Sequence, residues 1–244
     1  FITFLVWFNH APLLGMIAKS LGLTSDQIKT LLILNVALTI PARIVIGMLT
    51  DKYGPKITYA LLLAISSIPC FAFALSDSFM QAAIARFALG FIGAGFVIGI
   101  RMVSEWFPAN ELGTAEGIYG GWGNFGSAAA AMLLPVLTLY FVDIGIAGDN
   151  AWRYSIGLTG LLCLGFSFIW YFNVSDTPKG ATYFKPKTTG AMEVTSKGDF
   201  FLLLLMKLPL YAALALLTWK LSPAAVNMIT DNFAIGIYFS LILL

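Results

Sequence analysis

Charge is what this sequence has least of. Asp, Glu, Lys and Arg make up 11% of its 244 residues, against about a quarter in soluble domains. The two signs nearly cancel, 14 against 12 for a net charge of +2, which excludes the basic surface that nucleic acid requires. Cysteine is scarce as well. Cys70 and Cys163 both lie inside apolar runs, so neither a disulfide framework nor a metal-ligand spacing is present, and no metal or other cofactor is expected. A nucleophile–base pair and a phosphate loop are missing too, so the chain is not expected to be an enzyme. It does not begin with Met, and Phe1–Leu14 is already apolar, with no basic stretch or small-residue cleavage site before it. Phe239–Leu244 is apolar too. The expectation is a fragment cut at both ends from a longer membrane protein.

What is present is hydrophobic: 59% of residues, with a mean hydropathy of +0.87. Apolar segments near the ~20 residues that cross a bilayer occur at 1–18, 30–50, 57–75, 79–100, 115–141 and 153–172. A further pair follows at 200–220 and 225–244, interrupted by Lys207, Pro209 and Pro223. The pattern predicts an all-α integral membrane protein whose immediate partner is the lipid bilayer. Residues 1–172 form a six-helix bundle, and 173–199, with Pro178, Pro186 and several lysines, is a cytoplasmic linker. Residues 200–244 are the start of a second half or an inserted hairpin. Lys and Arg placement supplies the orientation. With the N-terminus inside, the inner ends hold Lys52, Lys56, Arg101, Lys179, Lys185, Lys187 and Lys197, and the outer ends Lys19, Lys29, Arg153 and Lys220.

Polar groups inside the apolar segments are the candidates for chemistry. Gly117, Gly120, Gly121, Asn124, Ser127 and Ala131 recur at spacings of three and four, so they share one helix face. In a bilayer small residues let a neighbouring helix come close. The face is either helix packing or the wall of a buried polar site. Arg43 lies about 14 residues into the second segment, roughly 20 Å from its outer end. Asn124 sits at a similar depth, so the two can face one cavity; the alternative is an arginine that snorkels to the inner interface. Arg86, in the fourth segment, reads as a structural pair with an acid or a carbonyl. Arg101 and Glu105, four apart, are expected to pair. His10 is either a proton carrier or a packing side chain.

These residues carry a resemblance. Gly47-Met-Leu-Thr-Asp-Lys-Tyr-Gly-Pro-Lys56 resembles the G-x-x-x-D-[RK]-x-G-[RK] loop of the major facilitator superfamily, with Pro55 as one extra residue. Arg86-Phe-Ala-Leu-Gly-Phe-Ile-Gly-Ala-Gly95 is similar to that superfamily's fourth-helix motif. Gly120-Gly-Trp-Gly-Asn-Phe-Gly126 resembles the fifth-helix signature of the nitrate/nitrite porter family. Arg101-Met-Val-Ser-Glu-Trp-Phe-Pro108 and Gly113-Thr-Ala-Glu-Gly117 are similar to its bacterial nitrate permease branch. The resemblance covers about residues 1–177, the N-terminal half of such a porter.

Carried over by position, it implies nitrate or nitrite as the substrate, gripped by Arg43 and Asn124, with Gly120, Gly121, Gly123 and Gly126 around them. An aromatic over the anion corresponds to Phe8 or Trp7. Gly47, Asp51, Lys52, Gly54, Lys56 and Arg86 are implied in gating, and His10 is placed for proton coupling. The family's second arginine and second glycine signature belong to a C-terminal half, which is the implied missing partner. The implied location is a bacterial plasma membrane with the N-terminus cytoplasmic. A porter of this fold for another small organic anion or solute remains the alternative, and a non-transporting receptor or anchor a further one.

Overall fold

A segment in a bilayer must satisfy its backbone N–H and C=O groups internally, and the apolar segments do so as helices. In the computed structural model, residues 1–146, 148–185 and 196–243 are described, apart from the side chains of 200, 203, 204, 207, 210, 242 and 243. Pro186, Lys187 and the side chain of Lys207 lie outside the described residues. Among those described there is no strand. The helices are α1 (Ile2–Trp7), α2 (Leu14–Leu21), α3 (Ser25–Ala37), α4 (Thr39–Tyr53), α5 (Pro55–Ala74), α6 (Phe79–Leu89), α7 (Gly95–Trp106), α8 (Leu112–Asp143), α9 (Ala151–Asn173), α10 (Lys197–Leu221) and α11 (Asp231–Leu243). Among the described residues, five stretches are long and apolar enough to cross a membrane: Ser25–Tyr53, Pro55–Ala74, Phe79–Trp106, Leu112–Asp143 and Gly148–Asn173.

The segment expected as one helix over 1–18 is broken. Between α1 and α2 lie a turn at Phe8, Asn9 and His10 and a 3₁₀ turn at Ala11–Leu13. Pro12 is the local cause, because it has no N–H for the carbonyl four residues back and its ring crowds that carbonyl. Pro41 acts in the same way on Ala37, and α3 gives way to α4 at Leu38. In the span Phe79–Trp106 a 3₁₀ stretch, Gly90–Ala94, separates α6 from α7. The breaks are in contact: the Thr39 hydroxyl donates to the Gly90 carbonyl at 2.5 Å.

Small residues set the closest crossings. A Cβ at Gly126 would run into the Phe1 carbonyl oxygen and lie 3.1 Å from the Leu5 nitrogen, so α1 and α8 cross backbone to backbone there. A Cβ at Gly123 would lie 3.5 Å from the Phe4 ring, an ordinary contact. Between α5 and α9, Ser167 donates to the Ala60 carbonyl at 2.7 Å and the buried Cys163 thiol to that of Leu63 at 3.3 Å. Both cysteines are free and buried.

The chain divides into two compact units, Phe1–Lys185 and Pro186–Leu244. The stretch Asn173–Lys185, expected as part of the free linker, therefore belongs to the first unit. In the second unit α10 continues through Pro209, and the Tyr238 hydroxyl reaches the Ala215 carbonyl at 3.4 Å.

Candidate functional site

Two of the arginines within the spans of the first unit, Arg86 and Arg43, have opposite surroundings. Arg86, on α6, has 0% of its surface exposed. Its Nη1 donates to Asn9 Oδ1 at 2.9 Å, and its Nη2 to the Trp7 carbonyl at 2.7 Å and to Asn35 Oδ1. The Phe73 ring lies 5.1 Å from the guanidinium carbon. Its acceptors are thus one carbonyl and two amides, and among the described residues no carboxylate joins them. The carbonyl is the one that the break after α1 sets free. The knot extends outward: the Trp7 indole donates to the Asn35 carbonyl at 2.7 Å, and Asn9 Nδ2 to Thr159 Oγ1 at 2.7 Å. Gly90 and Gly93 let α3, α4 and α1 close over it. A Cβ at Gly90 would sit 3.0 Å from the Asn35 carbonyl oxygen, and one at Gly93 2.8 Å from Thr39 and from Trp7.

Arg43, on α4, is exposed and has no hydrogen-bond or ion-pair partner among the described residues. Apolar side chains flank it, with Ile44, Val45 and Met48 also exposed. Asn124, on α8, is exposed, and its Nδ2 donates to the Gly120 carbonyl one turn back at 2.9 Å. The glycines around it divide between two faces. Among the described residues, Gly117, Gly120 and Gly121 have no atom within 4 Å of where a Cβ would stand, whereas a Cβ at Gly123 would make ordinary contact with Phe4 and one at Gly126 would run into α1. Packing alone therefore accounts for Gly126, while Gly120 and Gly121 share the open side with Asn124. Phe8 is half-buried, its ring 4.7 Å from that of Trp7 and 6.3 Å from that of Phe4. Trp7 itself is buried.

His10 is fully buried, and neither ring nitrogen has a hydrogen-bond partner among the described residues. Its ring stands edge-on to Phe73 at 6.4 Å.

The expected gating loop lies at the end of the bundle where the linker departs. Gly54 has φ +88°, a value that L side chains rarely adopt. A Cβ there would also collide with the Asp176 carboxylate, 2.6 Å away. Arg101 Nε bonds Asp51 at 3.3 Å and its Nη1 bonds Glu105 at 2.7 Å, the expected i,i+4 pair. Lys52 is exposed, with its ammonium 5.1 Å from the Tyr53 ring. The Lys56 ammonium lies 5.1 Å from the Tyr171 ring. Gly47 makes only ordinary contact, with Val97 3.9 Å from a Cβ position. Reading the sequence missed Asn9 and Asn35 as partners of Arg86. Amides inside apolar segments were the available signal.

Compared with protein families, residues 1–243 match the Major Facilitator Superfamily. The chain is 47% identical over 258 residues to the nitrate/nitrite transporter NrtP of Picosynechococcus sp., covering 97% of this chain and 48% of that protein. It is 47% identical over 230 residues to the nitrate/nitrite transporter NrtP of Nostoc punctiforme, covering 94% and 46%. The chain thus spans about half the length of the curated relatives it matches. Among solved structures, the crystal structure of an auto-inhibited POT family peptide transporter superposes with a TM-score of 0.60 at 17% identity, over 99% of this chain and 49% of that one. At that identity the likeness is one of fold.

Proposed function

This chain belongs to the Major Facilitator Superfamily, and on that premise we propose that it is the N-terminal half of a secondary transporter for nitrate, nitrite or both. The observation that carries the reading is Arg43, a charged side chain within a span, exposed and without a partner among the described residues. An unpaired guanidinium at bilayer depth costs at least ~2.5 kcal/mol, a cost that persists when function requires it. Nitrate and nitrite are small planar anions, and a guanidinium fork can bond two of their oxygens at once. The names of the relatives support that substrate class.

In this reading Arg43 grips the anion and Asn124 turns its NH2 from the Gly120 carbonyl to an anion oxygen. Phe8, less committed to packing than Trp7, covers it. Gly120 and Gly121 leave room for the anion and for a helix of the second half to slide past. Alternating access follows from rocking of the two halves about this site. Asp51, with Lys52 and Lys56, latches them at the inner end, and Arg86 holds the rocking half rigid. The N-terminus is cytoplasmic on the lysine and arginine count, in a bacterial plasma membrane. For His10 we favour a neutral packing role, since neither nitrogen has a partner among the described residues to exchange a proton with.

The test is uptake of labelled nitrate by proteoliposomes of the full-length parent. Arg43→Lys keeps the charge and loses the fork, so saturable uptake should fall about a hundredfold, some 2.7 kcal/mol. Normal transport by Arg43→Lys would overturn the reading. His10→Gln should leave uptake and its dependence on a pH gradient unchanged. A guanidinium also suits carboxylates, so the second reading is a porter for a small organic anion. Competition of carboxylates against nitrate separates the two.

A further inference from the structure

The first stretch of the linker is bonded to the bundle at separate places. Asp176 Oδ1 accepts from the Lys56 N–H at 2.7 Å, at the start of α5. Its carboxylate fills the space beside Gly54 that any side chain there would occupy, and it meets the positive end of the α5 dipole. Seven residues on, the Tyr183 hydroxyl donates at 2.8 Å to the Thr50 carbonyl in the last turn of α4, which also accepts the Gly54 N–H at 2.8 Å. Arg101 Nη2, on α7, donates to the Phe184 carbonyl at 2.8 Å, and the guanidinium carbon lies 5.2 Å from the Tyr183 ring. The same guanidinium bonds Asp51 and Glu105, so the ion pairs and the linker share one anchor.

Between these contacts the segment is built, not slack. Ser175 donates to the Thr177 carbonyl at 3.1 Å, and Thr177 to that of Ala181 at 2.9 Å. The Ala181 N–H bonds the Pro178 carbonyl at 3.1 Å, and Gly180 has φ +90°. That is a turn closed i to i+3 with glycine at its third position, as type II geometry demands.

We infer that residues 173–184 form a clamp that ties the ends of α4, α5 and α7 together and docks as one unit with the Asp51–Arg101–Glu105 cluster. A motion of α4 against α7 then requires the clamp to undock, and undocking frees Asp51 and Arg101 for other partners. The mechanism differs from a row of independent surface bonds in one respect. Loss of the Tyr183 contacts must loosen the Asp176 contact, and the reverse, although the two residues touch different helices.

Hydrogen–deuterium exchange of the full-length parent in lipid nanodiscs tests this, with no substrate added. Tyr183→Phe removes one donor and keeps the ring; Asp176→Asn removes one charge and keeps the shape. Each is expected to raise exchange about tenfold both across 173–184 and at the start of α5, including the site that the substitution does not touch. The double variant should exceed neither single by the full product of their effects. Exchange that rises only beside each substitution, or in neither variant, overturns the clamp. Because the readout needs no transported anion, failure of the nitrate reading leaves this result standing.

Discussion

Arg86 and Arg43 carry the same side chain in the same half-bundle, and the contrast between them separates structure from function. Arg86 spends its donors on three oxygens of its own unit, from Trp7, Asn9 and Asn35. Its Nε is buried and has no partner among the described residues. Arg43 bonds nothing among the described residues and lies on an exposed side. A buried charge whose terminal nitrogens are bonded to three oxygens of its own unit holds a fold together; in the reading proposed above, the one without partners is held for the anion. The same division runs through the glycines of α8. The space beside Gly126 is filled by α1, and that beside Gly120 and Gly121 by nothing among the described residues.

The contrast breaks most visibly at Arg86. Arg86→Met would leave the Trp7 carbonyl and the oxygens of Asn9 and Asn35 without donors. The expected loss is about 3–5 kcal/mol of stability, read as a fall in thermal midpoint or failure to purify folded protein. Arg43→Ala should change the midpoint by less than ~0.5 kcal/mol equivalent while removing nitrate binding. If both substitutions unfold the protein, or neither does, the distinction fails. Among the glycines, Gly126→Ala forces α1 away from α8 and should cost about 1–3 kcal/mol. Gly121→Ala should cost nothing measurable in folding, and any loss it brings should appear in transport alone. The smallest effect concerns the clamp. Burial raises the Tyr183 hydroxyl above its ordinary value of 10.0, against the lowering pull of Arg101. A raised value means that the docking contribution is complete below the unfolded value and is lost only as pH climbs past the folded one. Exchange at 173–184, corrected for its intrinsic pH dependence, should therefore be flat between about pH 6 and 9.

Composition and residue spacing made the helical spans, the Arg101–Glu105 pair and the unusual positions of Arg43 and Arg86 legible, because these depend on local chemistry. The break at Phe8–His10 was also local, signalled by Pro12, but a continuous apolar run concealed it. What could not be read were pairings set by tertiary approach. Nothing in the residues around Asn35 says that Arg86 lies beside it, 51 positions later. Nothing around Asp176 says that it replaces a side chain at Gly54. Such contacts follow from how the helices cross, and the crossings are fixed by close approaches such as that at Gly126.

The knot around Arg86 has an order in time as well as in space. Trp7, Asn9 and Asn35 all leave the ribosome before Arg86 does, and membrane proteins enter the bilayer from the N-terminal end as they are made. The span Phe79–Trp106 therefore brings its guanidinium into a membrane where three acceptors already wait. Newly made chains stopped just before residue 86 would hold those oxygens unmatched by it, with the Trp7–Asn35 bond as the earlier tie, and chains extended past it would join that pair to the span Phe79–Trp106. The three acceptors would then be matched by a single residue, at a definite moment in translation, before the spans Leu112–Asp143 and Gly148–Asn173 are made.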